Sequence, residues 1–169
     1  MFTEMIKPHW ERMYRLAYRL TGSQPEAQDL FQDVLLKLYP RCDRLAEIEN
    51  RGPWLARIIY NQFIDNKRRY IQSKLVLVAH SDFSENPDLA PAEQDSLEDI
   101  TDQAINIIRL KKALSHLSED HRLVINLHDV EGYTLSEVSE ITGISLGTLK
   151  SRLHRARARM REILADGTI

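Results

Sequence analysis

The sequence predicts an all-α protein made of two small helical domains joined by a flexible acidic linker. Apolar residues recur at spacings of three and four through both terminal blocks, the period of a helix buried along one side. Capping residues stand ahead of several of these runs. Charge divides the chain at the same places: residues 1–72 hold 12 basic and 9 acidic side chains, residues 73–106 hold 1 and 8, and residues 107–169 hold 10 and 8. A formal net charge of -2 thus hides two basic blocks around an acidic connector. At 43% hydrophobic and 28% charged residues, the composition is that of a folded chain rather than a disordered one.

Trp10, Met13, Tyr14, Ala17 and Leu20 form the first stripe, which the sequence TGS interrupts. Ser23 opens the second helix, with Glu26 three residues on as a capping box and Pro25 in the first turn, where its missing N–H is not needed. Ala27, Leu30, Phe31, Val34, Leu35 and Leu38 are its inward set. Gln28, Asp29, Gln32, Asp33 and Lys37 are left outside. From Pro40 to Gly52 the period lapses, which predicts a loop containing at most a short turn. Pro53 then sets the first turn of a third helix with Leu55, Ile58, Ile59 and Phe63 inward. Its outward set is Trp54, Arg57, Asn61, Asp65, Arg68 and Arg69.

No period is sustained between Ile71 and Asn106, where an acidic, Pro-containing stretch has the composition of a solvated linker. A short helix over Asp95 to Arg109 grows from its end. Ile108, Leu110, Leu114 and Leu117 lead to Ser118, an N-cap followed by Glu119 and Asp120 where a helix dipole favours negative charge. Leu123, Val124, Leu127 and Val130 carry the next helix to Gly132. Thr134 and Glu137 form a second capping box, Gly143 closes that short helix, and Ser145 caps the last one. Leu149, Leu153, Ala156, Met160 and Ile163 are its stripe.

A short capped helix, a tight turn and a second helix with a basic outer face make a helix-turn-helix. Six of the twelve residues from Lys150 to Arg161 are Lys or Arg and none is acidic. The second helix of such a motif fits the major groove of DNA and reads base edges with its first turns. Thr148, Lys150, Ser151, Arg152, His154 and Arg155 are therefore the candidate contacts, and Arg157, Arg159 and Arg161 lie further along, at phosphate range. A solvated basic face is the bland alternative.

The segments MYRLAYRLTGSQPEAQDLFQDVLLKLY, PWLARIIYNQFIDNKRR and LSEDHRLVINLHDVEGYTLSEVSEITGISLGTLKSRLHRARARMRE, in this order, resemble the bacterial RNA polymerase sigma factors of the extracytoplasmic function (ECF) group. The resemblance implies a region 2 domain over 1–72, a linker over 73–106 and a region 4 helix-turn-helix over 107–169. It implies as partners core RNA polymerase (the beta-prime clamp helices, touched by Asp29, Gln32 and Asp33, and the beta subunit), promoter DNA and an anti-sigma factor. Trp54, Arg57, Asn61, Asp65, Arg68 and Arg69 match the helix that bears on the minus-ten element as the strands part. Lys150, Ser151, Arg152, His154 and Arg155 match the minus-thirty-five reading positions. Ser145 stands where many relatives have Pro, a departure that bears on the promoter sequence rather than the class.

Other classes are weakly supported. A dimeric helix-turn-helix regulator accounts for the C-terminal block but not for the Trp54 to Arg69 face. The six His residues bring no HExxH, GxSxG or P-loop with them, so no catalytic residue, cofactor or metal is expected. Cys42 is alone and offers no disulfide framework. No apolar run approaches the ~18 residues of a bilayer span, and the first residues lack the apolar core of a signal peptide. The expectation is a cytoplasmic protein without membrane insertion.

Overall fold

In the computed structural model, which describes residues 2–78 and 102–166, the chain divides into an N-terminal and a C-terminal unit, each built of helices. The acidic residues expected to form the linker lie for the most part outside the described residues. Among the described residues there is no strand, and no helix is long and apolar enough to cross a membrane.

The N-terminal unit begins with α1 (Phe2–Ile6) and a 3-10 turn at Lys7–His9. Helix α2 (Trp10–Thr21) ends at Gly22, whose φ of 77° is the left-handed conformation that lets its N–H return to the Tyr18 carbonyl at 2.8 Å. Ser23 then caps α3 (Gln24–Leu38) by accepting the Glu26 N–H at 3.3 Å. The expected box is only half made, because Glu26 does not return the bond. Helices α2, α3 and α5 (Arg51–Val78) pack on one another around Met13, Leu16, Ala17, Leu30, Phe31, Val34, Leu55 and Ile59, all buried. Full burial of each large apolar side chain contributes about 1.5–3 kcal/mol, and these few clusters have to hold a small domain together.

Three details depart from the sequence-based expectation. Trp10 was placed in the buried stripe but is 45% exposed, because it lies at the mouth of the core with one side against the edge of Phe31 at 4.7 Å between ring centres. The stretch expected to be a loop holds a 3-10 turn at Tyr39–Arg41 and helix α4 (Cys42–Glu47), which buries Leu45 completely. One apolar residue per short helix leaves no repeat to detect. Arg51 then closes α4 from the next helix, its Nε donating to the Leu45 carbonyl at 3.0 Å. Finally, α5 does not end within DNKRRY, where the period stops, but continues to Val78; its last turns expose Tyr70, Ile71 and Leu75, so no buried stripe marks them.

The C-terminal unit starts with α6 (Asp102–Ser115), followed by the Ser118 cap, which accepts the His121 N–H at 3.4 Å, and by α7 (Glu119–Val124). Of the expected inward set, Ile108 and Leu110 are exposed while Leu117, just beyond α6, is buried as expected, and Ala113 is the buried residue within the helix. Helix α7 runs on into a π-helical segment, Ile125–Val130, in which the Glu131 N–H reaches back five residues to the Asn126 carbonyl at 2.9 Å. A turn this wide delays each residue about the axis relative to an α-helix. Val130, in phase with Leu123 and Leu127 on an α-helical wheel, is therefore 43% exposed. The Thr134–Glu137 capping box is complete and opens α8 (Leu135–Thr142). Gly143, at φ 75°, ends it. Ser145 accepts the Thr148 N–H at 3.3 Å and starts α9 (Leu146–Ala165), whose Leu149, Leu153, Ala156, Met160 and Ile163 are buried as expected.

Both tryptophans, Trp10 and Trp54, lie in the N-terminal unit, so their fluorescence reports its unfolding selectively. Leu45→Ala should lower the stability of that unit by about 2–5 kcal/mol, measured as a fall in the urea midpoint of the fluorescence transition. Replacing the Ser145 cap by Ala should destabilise the C-terminal unit by about 1 kcal/mol and speed hydrogen exchange at the Thr148 amide, while leaving the fluorescence transition where it was.

Candidate nucleic-acid interface

Helix α9 sorts its side chains by phase. The apolar stripe points to α7 and α8, against both of which α9 packs. On the opposite side Lys150, Ser151, His154 and Arg155 are exposed, as is Thr148 at the helix start. Neither Lys150 nor Arg155 has an ion pair among the described residues, so both cations are available to an anionic partner. The turn before them is held rigid by short polar bonds: the Ser139 hydroxyl donates to the Ile144 carbonyl at 2.6 Å, and the Ile144 N–H donates to the Thr142 hydroxyl at 3.3 Å.

Arg152 behaves differently. It stands at the margin of the stripe, half-buried, and its guanidinium lies 2.9 Å from the Asp120 carboxylate. Arg157 makes a two-pronged contact with Asp129, with Nε donating to Oδ2 at 3.0 Å and Nη2 to Oδ1. That bond is the main reason its guanidinium holds its proton more tightly than an ordinary arginine. Arg159 pairs with Glu162 at 2.9 Å. The run without acids is thus partly neutralised from outside it, by residues that local sequence does not connect to it. His128 adds to this corner: its Nδ1 donates to the Tyr133 carbonyl at 2.7 Å, which directs Nε2 toward Asp129 at 3.9 Å.

In the N-terminal unit, Trp54, Arg57, Asn61, Asp65, Arg68 and Arg69 recur at helical spacing along one side of α5, about a third of a turn from the buried Leu55, Ile59 and Gln62. Arg57, Asn61, Arg68 and Arg69 are exposed, and Trp54 and Asp65 half-buried. Asp65 is close enough in sequence to pair with Arg68 or Arg69 but does so with neither. Arg57, Arg68 and Arg69 carry no ion pair among the described residues. At the start of α5, His9 sits near Arg51 and Arg12; partial burial first, then the two guanidiniums, hold its pKa below the usual 6.5.

On α3, Asp29 and Gln32 are exposed. Asp33 instead turns toward α5, accepting from Asn66 Nδ2 at 3.4 Å, while Asn66 Oδ1 accepts from Gln62 Nε2 at 2.8 Å. This polar chain between two helices is missing from the sequence-based expectation: Gln62, only 3% exposed, is a polar residue in phase with the buried Leu55 and Ile59. Leu36, 74% exposed, shares the side of α3 that carries Asp29 and Gln32. Its place outside the buried stripe was the signal that could have marked it.

Comparison with known proteins agrees with this arrangement. Residues 5–71 match the family profile Sigma-70 region 2, and residues 107–160 match Sigma-70, region 4. The ECF RNA polymerase sigma factor SigE of Mycolicibacterium smegmatis is 34% identical over 162 residues, which cover 96% of this chain and 61% of that protein; the chain therefore spans about three fifths of that relative's length. The ECF RNA polymerase sigma factor SigW of Bacillus subtilis is 29% identical over 98% of this chain and 89% of its own. The RNA polymerase sigma-E factor of Streptomyces avermitilis is 32% identical over 96% and 84%. Among solved structures, the sigma factor RpoE in complex with the anti-sigma factor NepR from Bartonella quintana aligns with a TM-score of 0.70 at 30% identity, covering 97% of this chain and 96% of that one. CnrH in complex with the cytosolic domain of CnrY aligns with a TM-score of 0.59 at 20% identity, over 99% and 89%, a likeness of fold. With both conserved regions matched in order and relatives alike along nearly its whole length, the chain belongs to the ECF family of RNA polymerase sigma factors.

Proposed function

We propose that this chain binds core RNA polymerase, directs it to promoters and opens the DNA there, with residues 1–72 and 107–169 as its two working domains and 73–106 as the tether between them. The observation that carries this reading is the pair of separate faces with unpaired cations: Lys150 and Arg155 on α9, and Arg57, Arg68 and Arg69 on α5. One face suits duplex DNA and the other suits a separated strand. A major groove admits a helix and rewards side chains that bond base edges, so Thr148, Lys150, Ser151, His154 and Arg155 read the minus-thirty-five element, while Arg152, matched to the same set, is held at the flank of the helix by Asp120. An exposed single strand is held by stacking surfaces and backbone cations. Trp54 supplies the first, Arg57, Arg68 and Arg69 the second, and Asn61 and Asp65 bond to bases at the minus-ten element.

The side of α3 bearing Asp29, Gln32 and Leu36, with Asp33 at its edge, docks on the beta-prime clamp helices, and the C-terminal unit meets the beta subunit. A helical anti-sigma factor competes for these surfaces; the solved relatives bound to NepR and to CnrY support that assignment. The chain acts in the cytoplasm and performs no bond chemistry itself. It lowers the free energy of opening a chosen stretch of DNA for an enzyme that does the chemistry.

Run-off transcription with core polymerase and a library of genomic fragments tests the reading: RNA should start from a subset of fragments only when the chain is present, and a complete lack of starts overturns it. Arg155→Ala should weaken binding to a responsive fragment roughly 5- to 150-fold, the equivalent of about 1–3 kcal/mol for one lost base contact. Trp54→Ala should leave holoenzyme binding to the closed duplex within about twofold and reduce permanganate reactivity of the melted strand, because stacking on an unpaired base is worth about 1–3 kcal/mol.

A further inference from the structure

The two arginines with carboxylate partners on α7 and its π-helical extension are placed alike. At about 3.6 residues per turn, Arg152 and Arg157 fall on opposite flanks of the stripe made by Leu149, Leu153, Ala156 and Met160. Asp120 lies in the first turn of α7, and Asp129 lies near the far end of the π-helical segment that continues it. The helix that α9 packs against therefore grips it twice, once on each side: Arg152 to Asp120 at 2.9 Å, and Arg157 to Asp129 at 3.0 Å through Nε with a second bond through Nη2. Apolar contacts alone resist separation of two helices but tolerate small rotations. A pair of directional bonds on opposite flanks opposes rotation in either sense. The contact with Asp129 is fork to fork, the geometry in which guanidinium and carboxylate are most specific about direction.

The pairs also remove cations from circulation. A guanidinium on a flexible stem binds phosphate whatever the sequence, and each phosphate neutralised adds to affinity without adding discrimination. With Arg152 and Arg157 engaged, the unpaired charge near the start of α9 is that of Lys150 and Arg155.

We propose that Asp120 and Asp129 are positioning residues for promoter discrimination: they set the roll of α9 and withhold Arg152 and Arg157 from the DNA backbone, so that sequence is read through the outer face. The inference rests on the reading of α9 as the duplex-binding helix. Loss of either carboxylate then frees a cation, raising affinity for any duplex, and loosens the helix that carries the base contacts.

The test uses the full-length chain and a pool of duplexes randomised over a short segment. The wild-type chain should enrich one class of sequence. Binding to the enriched duplex and to a shuffled version is then followed over a series of salt concentrations. Asp120→Asn and Asp129→Asn should each bind the shuffled duplex several-fold more tightly, with the slope of log affinity against log salt steeper by about 0.9 for one extra phosphate contact. The ratio of enriched to shuffled affinity should fall. Adding Arg152→Gln to the first variant, or Arg157→Gln to the second, should return shuffled-duplex binding to the wild-type value, an effect that a purely structural role would not produce. Asp120→Ser and Asp129→Ser replace either Asn variant whose circular dichroism departs from the wild type. Unchanged slope and ratio in the single variants overturn the proposal while leaving α9 as the reading helix. Failure of the wild-type chain to enrich any sequence overturns that reading, and the inference with it.

Discussion

The seating of α9 against α7 is the constraint on which the rest of the C-terminal unit depends. A recognition surface carried on one helix has no meaning until that helix has a fixed roll, because a rotation of a few tens of degrees exchanges one row of side chains for the next. Here the roll is set by an apolar stripe, by a rigid turn leading into the helix, and by carboxylates on two sides. The N-terminal unit solves the same problem with other means. Helix α5 packs on both α2 and α3, and the Gln62–Asn66–Asp33 chain ties it to α3.

The polar chain joins two candidate surfaces. Asp33 belongs to the side of α3 read as polymerase-facing, and Asn66 lies on the helix read as strand-facing. The buried Gln62 amide favours this arrangement by donating to Asn66, although its own Oε1 has no partner among the described residues. The two candidate surfaces are thus tied together within the N-terminal unit by a chain of side-chain hydrogen bonds.

Much of this was legible in the sequence, and what was legible shares a cause. Ser118, Thr134 and Ser145 cap their helices through contacts that close within three residues, and Gly143 ends α8 for a reason internal to its own backbone. The stripe of α9 is long, regular and entirely buried, so its period is unmistakable. The misreadings have the opposite origin. Helix α4 is too short to repeat, the last turns of α5 bury nothing that would mark them, and the π-helical turn breaks the period that Val130 would otherwise have kept. Asp129 and Arg157, 28 residues apart, meet only once the chain has folded. A count of charges along the run from Lys150 to Arg161 therefore overstated how many of them are free.

Helix α5 is a single uninterrupted element of 28 residues, about 42 Å at 1.5 Å per residue. From Trp54 to Arg68 it advances about 21 Å, close to the rise of six base pairs at 3.4 Å each. On the proposed reading of this helix, ring and guanidinium are two marks on a stiff ruler, and the spacing between the nucleotides they would hold is fixed by counting residues. Insertion or loss of four residues between them would move the second mark by about 6 Å, which is more than one nucleotide step, and turn it by about 40° around the rod.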